Sequence, residues 1–494
     1  MCWQLEQLVS TQKLYTKTAA KIERLPKADQ NALLKFIRDF RLGINYAREF
    51  VDYLIDISRR DGVTISKQLK DPTVIQIFKE NKLAYSRRMD LLREALRQKR
   101  YPYFYGGEEG PWGPVKAGGG MGLMREKRAR KAEGLKIKTI YVEKEVQDFE
   151  VTNKVLEHFK KTPVKYIDSI KEVIKKYQHF GEGKQIVTLA KQKGRWLERC
   201  PGTREHLCCN YLVVNNAINC PFDCTYCYLQ TYLNNKVITI YANIDELIAE
   251  LKQFMDEHIN EHFRIGTGEF TDSLALDEPT GLATKLIELF AGQENHLLEL
   301  KTKSTEIDHL LGCDHRGKTV FAWSVNPEGI VRSQEYGARS LKERLKAAKR
   351  AVASGYKVGF HFDPIIFYKG WDKDYAKVVA EIFKAVKGED IAWISLGALR
   401  YQPQLKEIIE ERFPHSRICL GELDIGEDNK MRYFKPIRVE IFQTMFQAIR
   451  QHSKDVYVYL CMESPDVWAI AGITNNPANP SARYFKFFKK GAII

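Results

Sequence analysis

The chain has 494 residues, 44% of them hydrophobic and 29% charged, with a formal net charge of +15 and ten cysteines. That length suggests two or three domains, and the composition excludes wholesale disorder, a collagen-like repeat and a disulfide mini-protein. No apolar run approaches the roughly 18 residues that span a bilayer, and the amino terminus MCWQLEQLVSTQK carries no basic-then-apolar secretory pattern; a cytoplasmic protein without a membrane partner is the expectation.

The charge is uneven. Residues 1–134 contain 27 Lys and Arg against 16 Asp and Glu, a surplus of 11, whereas the remaining 360 residues contain 51 against 47, a surplus of 4. A basic front on a nearly neutral body points to an anionic partner handled by that front, with a solvated basic surface as the alternative.

Residues 1–100 are expected to form a basic helical domain. From about residue 26, stretches such as NALLKFIRDFRLGINYAREFVDYLIDISRR repeat apolar residues at three- and four-residue spacing, and Asp61-Gly62 interrupts the run. Three to five helices are predicted, serving either nucleic-acid contact or structural docking. Residues 101–135 read as a glycine-rich basic linker containing the run Arg125–Lys131 and the aromatics Tyr101, Tyr103, Phe104, Tyr105 and Trp112.

The body, residues 136–494, alternates short strands and helices. KTIYVEKE reads as a strand. Within a barrel core at about 205–400, strands are predicted at 211–215, 262–267, 297–302, 319–325, 357–363 and 392–397, with helical stretches such as IDELIAELKQFMDEH and SLKERLKAAKRAVASG between them. Six βα units in series predict an α/β partial TIM barrel; a doubly wound open sheet is the alternative, although no glycine-rich dinucleotide fingerprint supports it. In residues 401–494, GELDIGEDNKMRYFKPIR (421–438) reads as a β-hairpin turning at Glu427-Asp428-Asn429-Lys430, lined by Lys430, Arg432, Lys435 and Arg438.

Six of the ten cysteines lie between 200 and 227. In a chain without a secretion signal, such clustering favours metal or redox chemistry over disulfides. Cys220, Cys224 and Cys227 are spaced C-x3-C-x2-C directly after the first predicted barrel strand. Three thiolates on one loop can hold three irons of a [4Fe–4S] cluster and leave the fourth open to S-adenosylmethionine. Zinc with a fourth ligand from His206, Cys208 or Cys209 is an alternative, as is an electron-transfer cluster using the same neighbours.

The motif is the signature of the radical S-adenosylmethionine superfamily, and residues 136–494 resemble the spore photoproduct lyase family. The resemblance rests on CPFDCTYCYLQTYLN, YANIDEL, RIGTGEFTDSLALD, TKSTEIDHLL, FAWSVNPE, GYKVGFHFDPII and GWDKDY, in that order along the chain. It implies a lyase that cleaves S-adenosylmethionine reductively to a 5′-deoxyadenosyl radical. That radical takes hydrogen from a substrate, with a thymine-dimer-type lesion in DNA the leading candidate and another nucleic acid or a small molecule the alternative. A nucleic-acid-binding protein with a structural or redox-sensing cluster is the non-enzymatic reading. The resemblance further implies that Gly266, Gly268 and Glu269 meet the amino group of S-adenosylmethionine. Lys303 and Ser324 would hold its carboxylate, with Asn326 beside them, and Tyr226 and Tyr228 would relay a hydrogen atom. It also implies a hairpin wedge into the duplex, and a low-potential electron donor such as flavodoxin or ferredoxin. Glu269, Lys303, Ser324, His361, Asp363 and Ser395 all fall near the carboxyl ends of predicted strands, where a barrel builds its site.

One departure stands out. The repair lyases carry a further cysteine about forty residues after the cluster, and the corresponding stretch here is Gly268-Glu269-Phe270-Thr271. Cys461 is a candidate replacement, with a buried structural thiol as the alternative.

Overall fold

The computed structural model describes residues 14–80, 83–100, 137–200, 202, 206, 207, 209 and 211–473. The linker proposed at 101–135 therefore lies outside the described residues, as does Cys208. Packing divides the chain into two compact units: residues 1–122 with the short segments 367–371 and 417–422, and the remainder.

Among its described residues the first unit has six helices: α1 (Leu14–Glu23), α2 (Lys27–Asp39), α3 (Ile44–Asp61), α4 (Ile65–Gln68), α5 (Pro72–Lys79) and α6 (Tyr85–Arg100). Gly62 ends α3 at φ 70°, a left-handed conformation that glycine adopts freely. Asp71 caps α5 by accepting from the Thr73 amide, with Pro72 in the first turn. The core is aromatic: Phe36 stacks on Phe50 at 5.1 Å and meets Phe78 edge-on at 5.2 Å. Glu422, buried in this unit, pairs with Arg60 and, at 3.5 Å, with Arg97.

Among its described residues the second unit holds two large sheets, besides a two-stranded and a three-stranded one. The larger contains all six strands expected from the sequence and a seventh: β1 (Tyr211–Val214), β2 (Arg264–Gly266), β3 (Leu297–Thr302), β4 (Thr319–Ser324), β5 (Lys357–Ile365), β6 (Ile391–Ala398) and β7 (Val458–Leu460). These run parallel in sequence order, and Leu197–Arg199 adds an antiparallel edge beside β1. An order without reversal excludes the doubly wound alternative, which requires a switch point. The sheet curls into a half barrel: Arg264 at the start of β2 donates to the Tyr459 hydroxyl of β7 at 3.0 Å, although four strands intervene between them in the sheet.

Several of the connections depart from simple βα units. Between β3 and β4 stands only a short 3-10 turn, Asp308–Leu310. Between β1 and β2 the chain crosses to the smaller sheet, whose strands are ordered Val164–Ile167, Thr139–Glu143, Ile186–Ala190, Ile238–Tyr241 and Ala217–Ile218. That sheet was visible in the sequence only as KTIYVEKE. Among the described residues no helix is long and apolar enough to cross a membrane.

Candidate active site

The cysteine loop leaves the smaller sheet after Ile218 and is pinned at several points. Asn219 turns at φ 68°; its side chain accepts from the Cys220 amide at 2.8 Å and donates to the Lys236 carbonyl at 2.7 Å. The Lys184 ammonium donates to the carbonyls of Cys220, at 2.7 Å, and Phe222. Asp223 and Cys224 pair antiparallel with Tyr336 and Glu335. The Gln230 amide group reaches back to the carbonyls of Thr225 at 2.9 Å and Cys227 at 3.3 Å, and the Arg412 fork grips Asp223 at 2.9 and 3.0 Å.

Backbone held this firmly presents three thiols from one short loop. The Phe222 amide points at Cys220 Sγ from 3.4 Å. Burial pushes the Cys220 thiol up to about 12 and Cys224 higher still, while Lys303 acts on Cys224 in the opposite sense. Left alone, these groups stay protonated; a cationic metal centre is what makes their thiolates stable. Among the described residues no three His, Cys, Asp or Glu side chains converge as a single-ion site would require. A cluster several ångströms across makes no such demand, so the donor set fits a polynuclear iron–sulfur centre.

Beside the loop lies a buried polar network. Glu335, fully buried, accepts from Tyr226, from Asn326 at 2.9 Å and from Arg344 at 2.5 Å. Arg344, also fully buried, donates to the Ser324 carbonyl at 2.9 Å, and Tyr375 donates to Asn326 Oδ1 at 2.7 Å. Burial alone would raise the Glu335 carboxyl, but Arg344 and Lys303 outweigh it and hold it at about 2. The Lys303 ammonium stands 5.9 Å from the Tyr226 ring. Desolvation would lower that ammonium; Cys224 and Glu335 reverse the direction and raise it. Tyr226 and Asn326 thus meet on one carboxylate that the motif spacing did not reveal, with Ser324 joined to it through Arg344 and Lys303 acting on it electrostatically. Arg344 was legible in principle, because it occupies the apolar stripe of its helix with Leu341, Leu345 and Ala348, four positions that are all buried.

The segment after β2 closes the other side. Tyr228 donates its hydroxyl to the Glu269 carbonyl at 2.6 Å. Asp272 ties the segment to β3, accepting from the Thr302 hydroxyl at 2.5 Å and the Lys303 amide at 2.7 Å. The hydroxyls of Thr267, Thr271 and Ser273 are buried without a partner, and such orphaned groups fit a polar cofactor laid along the segment. A Cβ at Gly266 would lie 1.9 Å from the Tyr211 hydroxyl and 2.6 Å from the Glu299 carbonyl; at Gly268 it would meet Lys301 and Ser273 at 3.1 Å. Gly266→Ala is therefore expected to lower unfolding free energy by roughly 1–3 kcal/mol in urea titration, with Gly268→Ala milder. Phe270 and Cys227 both pack against the cluster of Phe180, Leu229 and Leu233.

Other expectations shift position. His361 is not on the rim: it is buried inside the barrel, 2.6 Å from Glu299, which also pairs with Arg264 at 3.4 Å. Asp363 is gripped by Arg400 at 2.9 and 3.3 Å, and that cation holds its carboxyl at about 2 against the opposing effect of burial. The hairpin exists as Leu423–Ile425 paired with Met431–Tyr433, and the short strand Arg400–Tyr401 joins it. Lys435 and Arg438, however, lie on the helix Lys435–His452 rather than on the return strand, because Pro436 starts a helical turn. Arg432 is buried and paired with Asp428 at 2.7 Å and Glu463 at 3.5 Å; Lys430 reaches Asp428 at 3.4 Å, Arg438 reaches Glu463 at 3.3 Å, and Lys435 pairs with Asp466. Ile425, in contrast, is 64% exposed beside the hairpin turn.

Comparison with known proteins places this geometry in context. A family model described as spore photoproduct lyase matches residues 135–452. Spore photoproduct lyase of Geobacillus sp. (strain Y412MC61) is 33% identical over 209 residues, covering 42% of this chain and 61% of the relative; that of Bacillus subtilis (strain 168) is 29% identical over 241 residues, covering 48% and 68%. The chain thus spans 61% of the length of the Geobacillus relative. A solved structure of spore photoproduct lyase complexed with dinucleoside spore photoproduct aligns with 66% of this chain and 100% of its own, at 25% identity and a TM-score of 0.59. A variant with bound AdoMet and dinucleoside spore photoproduct aligns with the same coverage, identity and score.

Proposed function

Because the chain belongs to the spore photoproduct lyase family, we propose that it is a radical S-adenosylmethionine enzyme acting on a thymine-dimer-type lesion in DNA. The observation that carries this reading is the three-thiol loop set beside orphaned hydroxyls and a half-buried cation at the barrel mouth. Cys220, Cys224 and Cys227 would hold a [4Fe–4S] cluster. Gly266, Gly268 and Glu269 would receive the amino end of S-adenosylmethionine, with Lys303, Ser324 and Asn326 at its carboxylate. Together, cluster and S-adenosylmethionine supply a one-electron route to a 5′-deoxyadenosyl radical.

The chain's own contribution is placement. Gly266 and Gly268 let backbone approach closely. Lys303 keeps its charge because Glu335 and the loop compensate it, so it stays matched to a carboxylate. Tyr226 and Tyr228 are oriented by Glu335 and the Glu269 carbonyl, with their hydroxyls directed to opposite sides of the loop. The reductant is a low-potential protein of the flavodoxin or ferredoxin class. In the DNA contact, the exposed Ile425 supplies an apolar wedge, Arg432 braces the hairpin from within, and Lys430, Lys435 and Arg438 meet phosphates.

Phe270 favours one second reading, the same radical chemistry on a different nucleic-acid substrate, because no thiol stands at that position. Reduced holoprotein mixed with S-adenosylmethionine and dinucleoside spore photoproduct separates the two. Release of the repaired thymine dinucleotide is expected; 5′-deoxyadenosine formed without repair would favour the second.

The basic front enters as an electrostatic handle on DNA. Replacing Arg125, Lys127, Arg128, Arg130 and Lys131 with alanine is expected to flatten the log–log salt dependence of DNA affinity by about 0.9 for each phosphate no longer neutralised. An unchanged slope would assign that run to solubility alone.

A further inference from the structure

A carbon radical left on a substrate becomes a closed-shell product by taking hydrogen from a weaker bond, and among side chains the cysteine S–H and tyrosine O–H bonds qualify. Both loop tyrosines already donate their hydroxyls, Tyr226 to Glu335 and Tyr228 to the Glu269 carbonyl. Three thiols belong to the loop. Of the other described thiols, Cys419 lies in a short turn of the helical unit, Cys313 precedes β4 at the amino-terminal end of the barrel, Cys200 is held beside the amino-terminal start of β1 by its amide bond to the Tyr211 carbonyl at 2.9 Å, and Cys209 accepts from Arg264 at 2.9 Å.

Cys461 is placed differently. It directly follows β7, and strand alternation puts it on the same face as Tyr459, which points inward to Arg264. Its amide donates to the Leu396 carbonyl of β6 at 2.8 Å, fixing its height at the carboxyl-terminal mouth. The thiol is half-buried, with Arg400 Nη2 3.5 Å from Sγ. One inward-facing position below it stands an orphaned polar group of the kind a bound ligand satisfies. The Ser395 hydroxyl, fully buried and without a partner, stands on the same inward face of β6, where Ser395 pairs in register with Tyr459.

We infer that Cys461 is the residue that returns a hydrogen atom to the substrate radical, an inference that rests on the radical reading above and fills the role Phe270 leaves open. In the step, the Cys461 S–H bond breaks homolytically, a C–H bond forms on the substrate, and a thiyl radical remains on Sγ. One electron from the low-potential donor and one proton from solvent restore the thiol. Burial and the Asp363 carboxylate push the thiol up to about 12, which keeps it in the S–H form; a thiolate has no hydrogen atom to give. Phe270, packed with Cys227 against one apolar cluster of Phe180, Leu229 and Leu233, offers only C–H bonds on its side of the site.

The test compares Cys461→Ala, the nearly isosteric Cys461→Ser and Cys200→Ala in reconstituted holoprotein. The ratio of repaired dinucleotide to 5′-deoxyadenosine is expected to fall by roughly tenfold or more in both Cys461 variants and to hold in Cys200→Ala. In D2O the parent enzyme is expected to place a solvent deuteron in the product. A readout independent of the cluster uses the apoprotein: dinucleoside spore photoproduct should slow iodoacetamide alkylation of Cys461 by roughly threefold or more at about pH 9. An undiminished ratio in Cys461→Ser, or a loss confined to Cys200→Ala, would overturn the inference while leaving the radical reading intact. No 5′-deoxyadenosine from the parent protein would overturn both.

Discussion

Replacing Glu335 with alanine is expected to lower the unfolding free energy by about 3–5 kcal/mol, the cost of leaving a buried cation uncompensated. Glu335 and Arg344 are both fully buried and stand 2.5 Å apart, so solvent cannot rehydrate the guanidinium once its partner is gone. Tyr226 and Asn326 lose their acceptor in the same stroke. Glu335→Gln keeps an acceptor for both and removes only the charge, so its loss should be smaller; urea denaturation of the two variants measures the difference. The pH dependence follows from the sign of the shift. A carboxyl held at about 2 when folded, against an ordinary value near 4.5, contributes stability fully above about pH 4.5 and loses it as pH falls toward 2. Glu299 and Asp363 are depressed to about 2 in the same direction, Glu299 by Arg264 and His361 and Asp363 by Arg400, each against burial. Parent protein should therefore weaken steeply between pH 4.5 and 2, and Glu335→Ala less steeply.

Changing any one of Cys220, Cys224 or Cys227 to alanine is expected to abolish cluster uptake and cut 5′-deoxyadenosine formation by roughly a hundredfold or more. Cys313→Ala, on a turn outside the loop, should retain both. The contrast matters because eight described cysteines lie outside any disulfide, and nonspecific iron binding would not discriminate among them. Iron and acid-labile sulfide content of anaerobically reconstituted variants is the direct measure. Equal loss in all four would reduce the loop to one thiol source among several.

Much of this was legible in the chain. The six expected strands fall where hydrophobic runs end in turn residues, and all six pair in sequence order. The interruption at Asp61-Gly62 is a left-handed helix stop, which local backbone preference alone dictates. The seventh strand, Val458–Leu460, is three residues long and too short to carry a period. The smaller sheet was missed for a different reason: Ile238–Tyr241 alternates β-branched residues clearly, yet it crosses to another sheet between two barrel strands, and alternation does not say which sheet a strand joins. The loop cysteines were set by spacing, but Glu335, Lys184 and Asp272 act through contacts from about 30 to more than 100 residues away. The basic hairpin shows the converse limit. Arg432 has the charge of a phosphate contact in sequence, and in the fold two carboxylates consume it.

One-electron cleavage of S-adenosylmethionine is the chemistry proposed for this loop and this barrel mouth. Its most direct test is dithionite reduction of anaerobically reconstituted protein with S-adenosylmethionine, followed by chromatography for 5′-deoxyadenosine. About four irons per chain and 5′-deoxyadenosine that depends on reductant are the expected result. A protein that binds no cluster, or binds one and releases no 5′-deoxyadenosine, would contradict it.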